Sequence, residues 1–149
     1  MSIVFVSGVP GTGKSTVCQG ALEQDYDLDY LNVGQYLEEY IEEHGSEEGV
    51  DDALEDYLKG LEDDVIVDTH AVERTDYGLK QYAFQGLSDM DVEGYVFVDS
   101  DPEDIYQRRE KSDKERIDES LDEIEQHRDH LQRVITSRAT RDEAPTYVL

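Results

Sequence analysis

The sequence predicts an α/β fold in which a five-stranded parallel sheet carries helices on both faces. Two patterns predict it. Short runs rich in Val, Ile and Tyr alternate with stretches whose apolar residues recur at helical spacing. A glycine-rich turn also joins the first such run directly to the first helical stretch. Alternation of this kind favours a parallel sheet, because each crossover between parallel strands carries a helix that covers one face. The 149 residues suffice for one domain with one core.

In chain order, residues 3–6 form the first predicted strand, and Val17, Ala21 and Leu22 mark the helix after it. Residues 30–33 form the second strand, followed by a helix with Val33, Leu37, Tyr40 and Ile41 on one stripe. Residues 45–49, bounded by two glycines, read as a solvated turn. A third helix then places Val50, Leu54, Tyr57, Leu58 and Leu61 on its apolar face. Strands are predicted at 65–67 and 95–98. Asp101, Pro102 and the two acids that follow signal a helix start with a capping side chain, and that helix is expected to run to about Arg109. A charged stretch, 110–115, precedes a long helix whose stripe carries Ile117, Leu121, Ile124, Leu131 and Ile135, with Arg128 and Arg138 on the same face. The fifth strand is residues 146–149, and the chain stops inside it, so that strand is expected either to stand exposed or to lack a closing helix.

Thirty-eight acidic residues against 13 basic ones give a net charge of −25, which repels nucleic-acid phosphates and anionic lipid and excludes both as partners. The acid is spread along the whole chain, as in proteins of salt-accumulating halophiles, where screening relieves the self-repulsion. An ordinary acidic protein is the alternative. The halophile reading predicts unfolding as KCl falls below roughly 0.5 M, since the Debye length grows from about 3 Å at 1 M to about 10 Å at 0.1 M. Circular dichroism against KCl concentration checks this, and a thermal midpoint that stays flat from molar to millimolar salt overturns it. One cysteine, Cys18, leaves no intrachain disulfide and suits a reducing compartment. No apolar run approaches the roughly 18 residues of a membrane span, so a cytoplasmic protein is expected.

Gly8-Val9-Pro10-Gly11-Thr12-Gly13-Lys14-Ser15 satisfies G-x-x-x-x-G-K-[ST] at every fixed position, between a strand and a helix. This is the phosphate loop of a P-loop NTPase core. Its glycines let backbone N–H groups converge on phosphate oxygens, and the helix start near Gly13 adds the positive end of its dipole. Lys14 is expected to reach the β and γ phosphates of ATP, Ser15 to ligate Mg²⁺, and Thr16 to meet a phosphate oxygen. Asp68 ends the apolar run 65–67, where such a core needs a carboxylate for the hydrated metal, although an ordinary strand-end turn residue is the other reading. The four histidines, at 44, 70, 127 and 130, complete no ligand set and are expected at the surface.

Transfer of a phosphoryl group needs positive charge beyond Lys14. In so acidic a chain, Arg108, Arg109, Lys111, Lys114 and Arg116 crowd into nine positions. Arg128, on the apolar stripe, needs an anion or carboxylate partner. Salt bridges to neighbouring acids are the competing reading for all of them.

The phosphate loop with Thr16, the segment Leu31-Asn32-Val33-Gly34, the strand end Val65-Ile66-Val67-Asp68-Thr69-His70, the pair Arg108-Arg109 and Ile124-Glu125-Gln126-His127 occur in an order that resembles archaeal adenylate kinases. After His70 the chain departs from the Gly-Leu-Pro element that family carries. The resemblance implies a monophosphate site around 34–61, with Gly34, Thr69 and His70 facing the acceptor, and a short lid around 108–116. It implies that Lys14 stabilises the migrating phosphoryl, that Arg109, Arg116 and Arg128 clamp phosphate oxygens, and that Asp68 orients the metal shell. ATP + AMP to 2 ADP is the implied reaction, commonly in a homotrimer. A kinase for another small acceptor and a catalytically weak nucleotide-binding module are the alternatives.

Overall fold

The computed structural model describes residues 2–24, 27–81, 90–112 and 116–149. All five predicted strands are present and parallel: β1 (Ile3–Ser7), β2 (Asp29–Asn32), β3 (Val65–Thr69), β6 (Val92–Phe97) and β7 (Thr146–Val148) form one sheet in the order β2-β3-β1-β6-β7. The predicted helices appear as α1 (Lys14–Gln24), α2 (Val33–His44), α3 (Val50–Lys59), α4 (Pro102–Glu110) and α5 (Leu121–Arg141). An antiparallel hairpin, β4 (Val72–Thr75) with β5 (Gly78–Gln81), follows the third strand and was not predicted.

The central strand is apolar on both faces because both are covered. Ile3 and Phe5 pack with Leu54 and Leu58 of α3, Ile105 of α4 and Ile124, Leu131 and Ile135 of α5. Val6 packs on the other face with Cys18 of α1, Ile66 and Val98, and Val4, Val17 and Ala21 border that cluster. Phe5 also stacks on Tyr95 at 5.1 Å between ring centroids.

Three local expectations are corrected. The last helix begins at Leu121, not near Ile117, because Ser120 and Glu123 form a reciprocal capping box, and Ile117 and Leu121 lie exposed before and at its start. Asp101 stands at the N-cap of α4, but its side chain makes no capping bond, and Pro102 supplies the first-turn geometry instead. His127 is buried at 2% exposure, not at the surface.

Candidate functional site

The phosphate loop leaves the carboxyl end of β1, the middle strand, and enters α1 at Lys14. Two of its glycines are required by geometry. A Cβ on Gly8 would stand 2.8 Å from the Val98 carbonyl oxygen, so only glycine lets the loop cross β6 there. Gly11 has φ +94° and lies against Ile105 and Arg109, so α4 packs directly on the loop.

Side chains from beyond β6 hold the loop's carbonyls. Arg109 Nε donates to Pro10 O at 2.7 Å, Arg108 Nη1 to Gly11 O at 3.2 Å, and Ser100 Oγ to Thr12 O at 3.3 Å. With its carbonyls engaged on that side, the loop keeps N–H groups for a ligand, and the first turn of α1, with Ser15 and Thr16 exposed, adds its own unpaired donors.

Lys14, Ser15, Asp68, His70, Arg108 and Arg116 converge on one cleft of about 480 Å³, which Gly11, Gly13 and Asn32 also line. Lys14 Nζ sits 2.6 Å from Asp68 Oδ1, both side chains under a tenth exposed, and 3.3 Å from His70 Nδ1. On the other oxygen of Asp68, Tyr30 Oη donates at 2.5 Å. Burial, followed by this bond, pushes the Tyr30 phenol up to about 12. Cys18 beneath is pushed up to about 11, chiefly by burial and then by the Asp68 charge, so its thiol stays protonated and unreactive.

The remaining predicted residues lie around the cleft. Thr69 is buried beside it, with a hydroxyl that has no partner among the described residues, as is also true of Thr12. Gly34 sits in the first turn of α2, behind the N-cap Asn32. Gly8 is buried in the loop's first turn. Arg116 lines the cleft with one buried guanidinium nitrogen, Nη1, lacking a partner among the described residues, and burial followed by the Arg109 charge lowers its pKa. Arg128 does not line the cleft, contrary to the clamp expected of it: it pairs with Asp99 at 3.1 Å, as the competing salt-bridge reading has it. Lys114 lies outside the described residues.

Arg109 faces away from the cleft as well, into a buried ionic cluster that sequence reasoning missed. Glu119, 2% exposed at its side chain, receives Arg109 Nη1 at 2.7 Å and Arg74 Nε of β4 at 2.9 Å, and His127 Nδ1 stands 3.2 Å from both its oxygens. His127 Nε2 lies 2.8 Å from Val72 O. Burial alone would raise the Glu119 carboxyl, but the bonds from His127, Arg109 and Arg74 outweigh it and hold the group at about 2. The competing salt-bridge reading of the basic cluster pointed here through Arg109, whereas His127 was expected at the surface.

The residues present suit a magnesium ion shared with phosphates. Ser15 and Asp68 line the same cleft and bring one hydroxyl and one carboxylate to it. That is the sparse protein donor set Mg²⁺ accepts when phosphates and water supply the rest. The guanidinium nitrogen of Arg116 that lacks a partner among the described residues suits an anion in the same space.

The family described as the AAA domain matches residues 7–125. Adenylate kinase of Methanothermobacter thermautotrophicus is 31% identical over 148 residues, spanning 85% of this chain and 78% of that protein. An adenylate kinase homolog of the same organism is 30% identical over 141 residues, spanning 86% of this chain and 73% of that protein. Among solved structures, a chain of the Pnkp1/Rnl/Hen1 RNA repair complex superposes with a TM-score of 0.59 at 18% identity, over 91% of this chain and 45% of that one. At that identity the likeness speaks to the fold alone, and this chain spans less than half of that structure's chain. No helix among the described residues is long and apolar enough to cross a membrane.

Proposed function

From a chain that belongs to the AAA domain family and to the adenylate kinases, and is therefore an ATP-dependent phosphotransferase on a P-loop core, we propose an enzyme that transfers the γ-phosphoryl of ATP to AMP. The observation that carries this reading is the convergence of Lys14, Ser15, Asp68, His70, Arg108 and Arg116 on one cleft at the carboxyl end of the sheet, where open α/β sheets bind ligands.

In this reading Gly8, Gly11, Thr12, Gly13 and Thr16 cradle the donor phosphates, and Lys14 leaves Asp68 for the β and γ oxygens. Ser15 and Asp68 would hold magnesium, which would supply neutralisation of the phosphate charge. Arg116, whose Nη1 lacks a partner among the described residues, neutralises charge on the migrating phosphoryl together with Lys14. Arg109 acts on the transfer by holding Pro10 O, and Arg128 by fixing the end of β6 through Asp99. Thr69, His70 and the α2 start at Gly34 receive the acceptor. Cytosolic residence accords with this chemistry.

The test is kcat/KM for AMP, CMP, UMP, GMP and dTMP with Mg·ATP in high salt. AMP is expected to lead by at least about tenfold, since one or two hydrogen bonds to a base edge are worth about 1–3 kcal/mol each. A different preferred monophosphate replaces AMP as the acceptor and leaves the phosphate chemistry in place. The observation favouring that outcome is the β4–β5 hairpin, which follows His70 where the family's Gly-Leu-Pro element would stand. Phosphorylation of none of the five overturns the monophosphate reading.

A further inference from the structure

Asp68 carries two tethers in the resting site, and they differ in kind. Lys14 holds Oδ1 at 2.6 Å, and Tyr30 holds Oδ2 at 2.5 Å. In the proposed reaction Lys14 must leave for the triphosphate. Tyr30 has no such second duty. It sits on β2, whose ladder with β3 sets Asn32 opposite Asp68, and its ring reaches forward along the sheet to the carboxylate. Two residues on, Asn32 caps α2, its Oδ1 accepting from Gln35 N at 3.0 Å.

We propose that Tyr30 is a positioning residue for the magnesium-dependent step of nucleotide binding: by occupying Oδ2, it leaves Asp68 a single oxygen, Oδ1, to offer toward the hydrated metal once Lys14 departs. This rests on the metal role given to Asp68 above. Without the hydroxyl, the carboxylate is free to turn about its last torsion and to take Lys14 with both oxygens. The resting ion pair then competes harder with the triphosphate, and the metal meets an unoriented acid.

Calorimetric titration of ATP, without acceptor, in excess Mg²⁺ and in EDTA measures the coupling between metal and nucleotide as the ratio of the two affinities. Tyr30→Phe keeps the ring at a position that is 39% exposed, so the fold is expected to persist, and the thermal midpoint verifies it. The coupling ratio is expected to fall about tenfold in Tyr30→Phe, and to fall similarly in Asp68→Asn. The double variant is expected to match Asp68→Asn alone, because Tyr30 acts through Asp68. In turnover, Tyr30→Phe is expected to need about tenfold more Mg²⁺ and to regain kcat when Mg²⁺ saturates. If Asp68→Asn loses the coupling while Tyr30→Phe retains it, the assignment of Tyr30 is overturned and the metal reading stands. If Asp68→Asn itself retains the coupling, the metal reading of Asp68 falls and the Tyr30 assignment with it.

Discussion

Lys14→Met is expected to lower kcat/KM by about a thousandfold or more while the chain still folds. The lysine stands on the loop 2.6 Å from Asp68, and in the proposed reaction its loss removes charge stabilisation that strengthens as the phosphoryl group migrates. Methionine keeps the length of the stem and belongs to neither apolar cluster, so the packing of β1 and α1 is untouched. The variant does strand Asp68 with Tyr30 as its remaining bonded donor, and a stability loss of about 1–3 kcal/mol follows from a buried acceptor that has lost its partner. Steady-state kinetics beside a denaturation curve separate the two effects. Turnover like that of the parent would remove the phosphate-loop assignment.

Glu119→Gln is expected to be the most damaging single change outside the cleft. Glu119 joins α4, β4 and α5 through Arg109, Arg74 and His127, and Arg109 in turn holds the phosphate loop at Pro10. An amide keeps the shape but leaves two arginines facing a neutral group. The carboxyl lies at about 2 in the folded chain against 4.5 ordinarily, a difference on the order of 3 kcal/mol for a group that is 2% exposed. A depressed acid stabilises the fold fully above its ordinary value, and the contribution drains away as pH falls from about 4.5 toward 2. The gap between parent and variant should therefore be roughly 3 kcal/mol at pH 7 and should shrink below pH 4.5. Urea unfolding at matched high salt, at pH 7, 5 and 3, measures it. A gap that does not change with pH would show that the cluster works by shape and not by charge.

These two sites were unequally legible. The phosphate loop is local: eight consecutive residues and two flanking elements define it, so a reader of the sequence finds Lys14 and Ser15 at once. Tyr30 meets Asp68 from 38 residues away and Arg74 meets Glu119 from 45, and no spacing rule connects such pairs in a chain with 38 acids. Periodicity also misled at one end of α5. Ile117 continues the apolar stripe by number, yet the helix cannot begin before its cap, and Ser120-x-x-Glu123 was the signal that outranked it. Arg128 shows the opposite case. Its place on the stripe asked for an anion or a carboxylate, and Asp99 fills that place, which favours the competing salt-bridge reading over a phosphate clamp. For Arg109 both readings of the basic cluster meet, since one guanidinium is at once salt-bridged to an acid and bonded to the phosphate loop.

The position of β1 in the sheet bears on how the protein is made. Of the five strands of this sheet it is the first to leave the ribosome, yet it lies between β3 and β6, so its neighbours arrive roughly 60 and 90 residues later. Until Val92–Phe97 has emerged, the strand that feeds the phosphate loop has one bare edge, and the Val98 carbonyl that Gly8 must pass is missing. Nascent chains halted before residue 92 should therefore be unable to retain nucleotide, and should present Ile3–Ser7 as an apolar strand open to pairing with other chains. ATP thus acts too late to guide the early folding of its own site, and the charge that keeps emerging chains apart is the chain's own net −25.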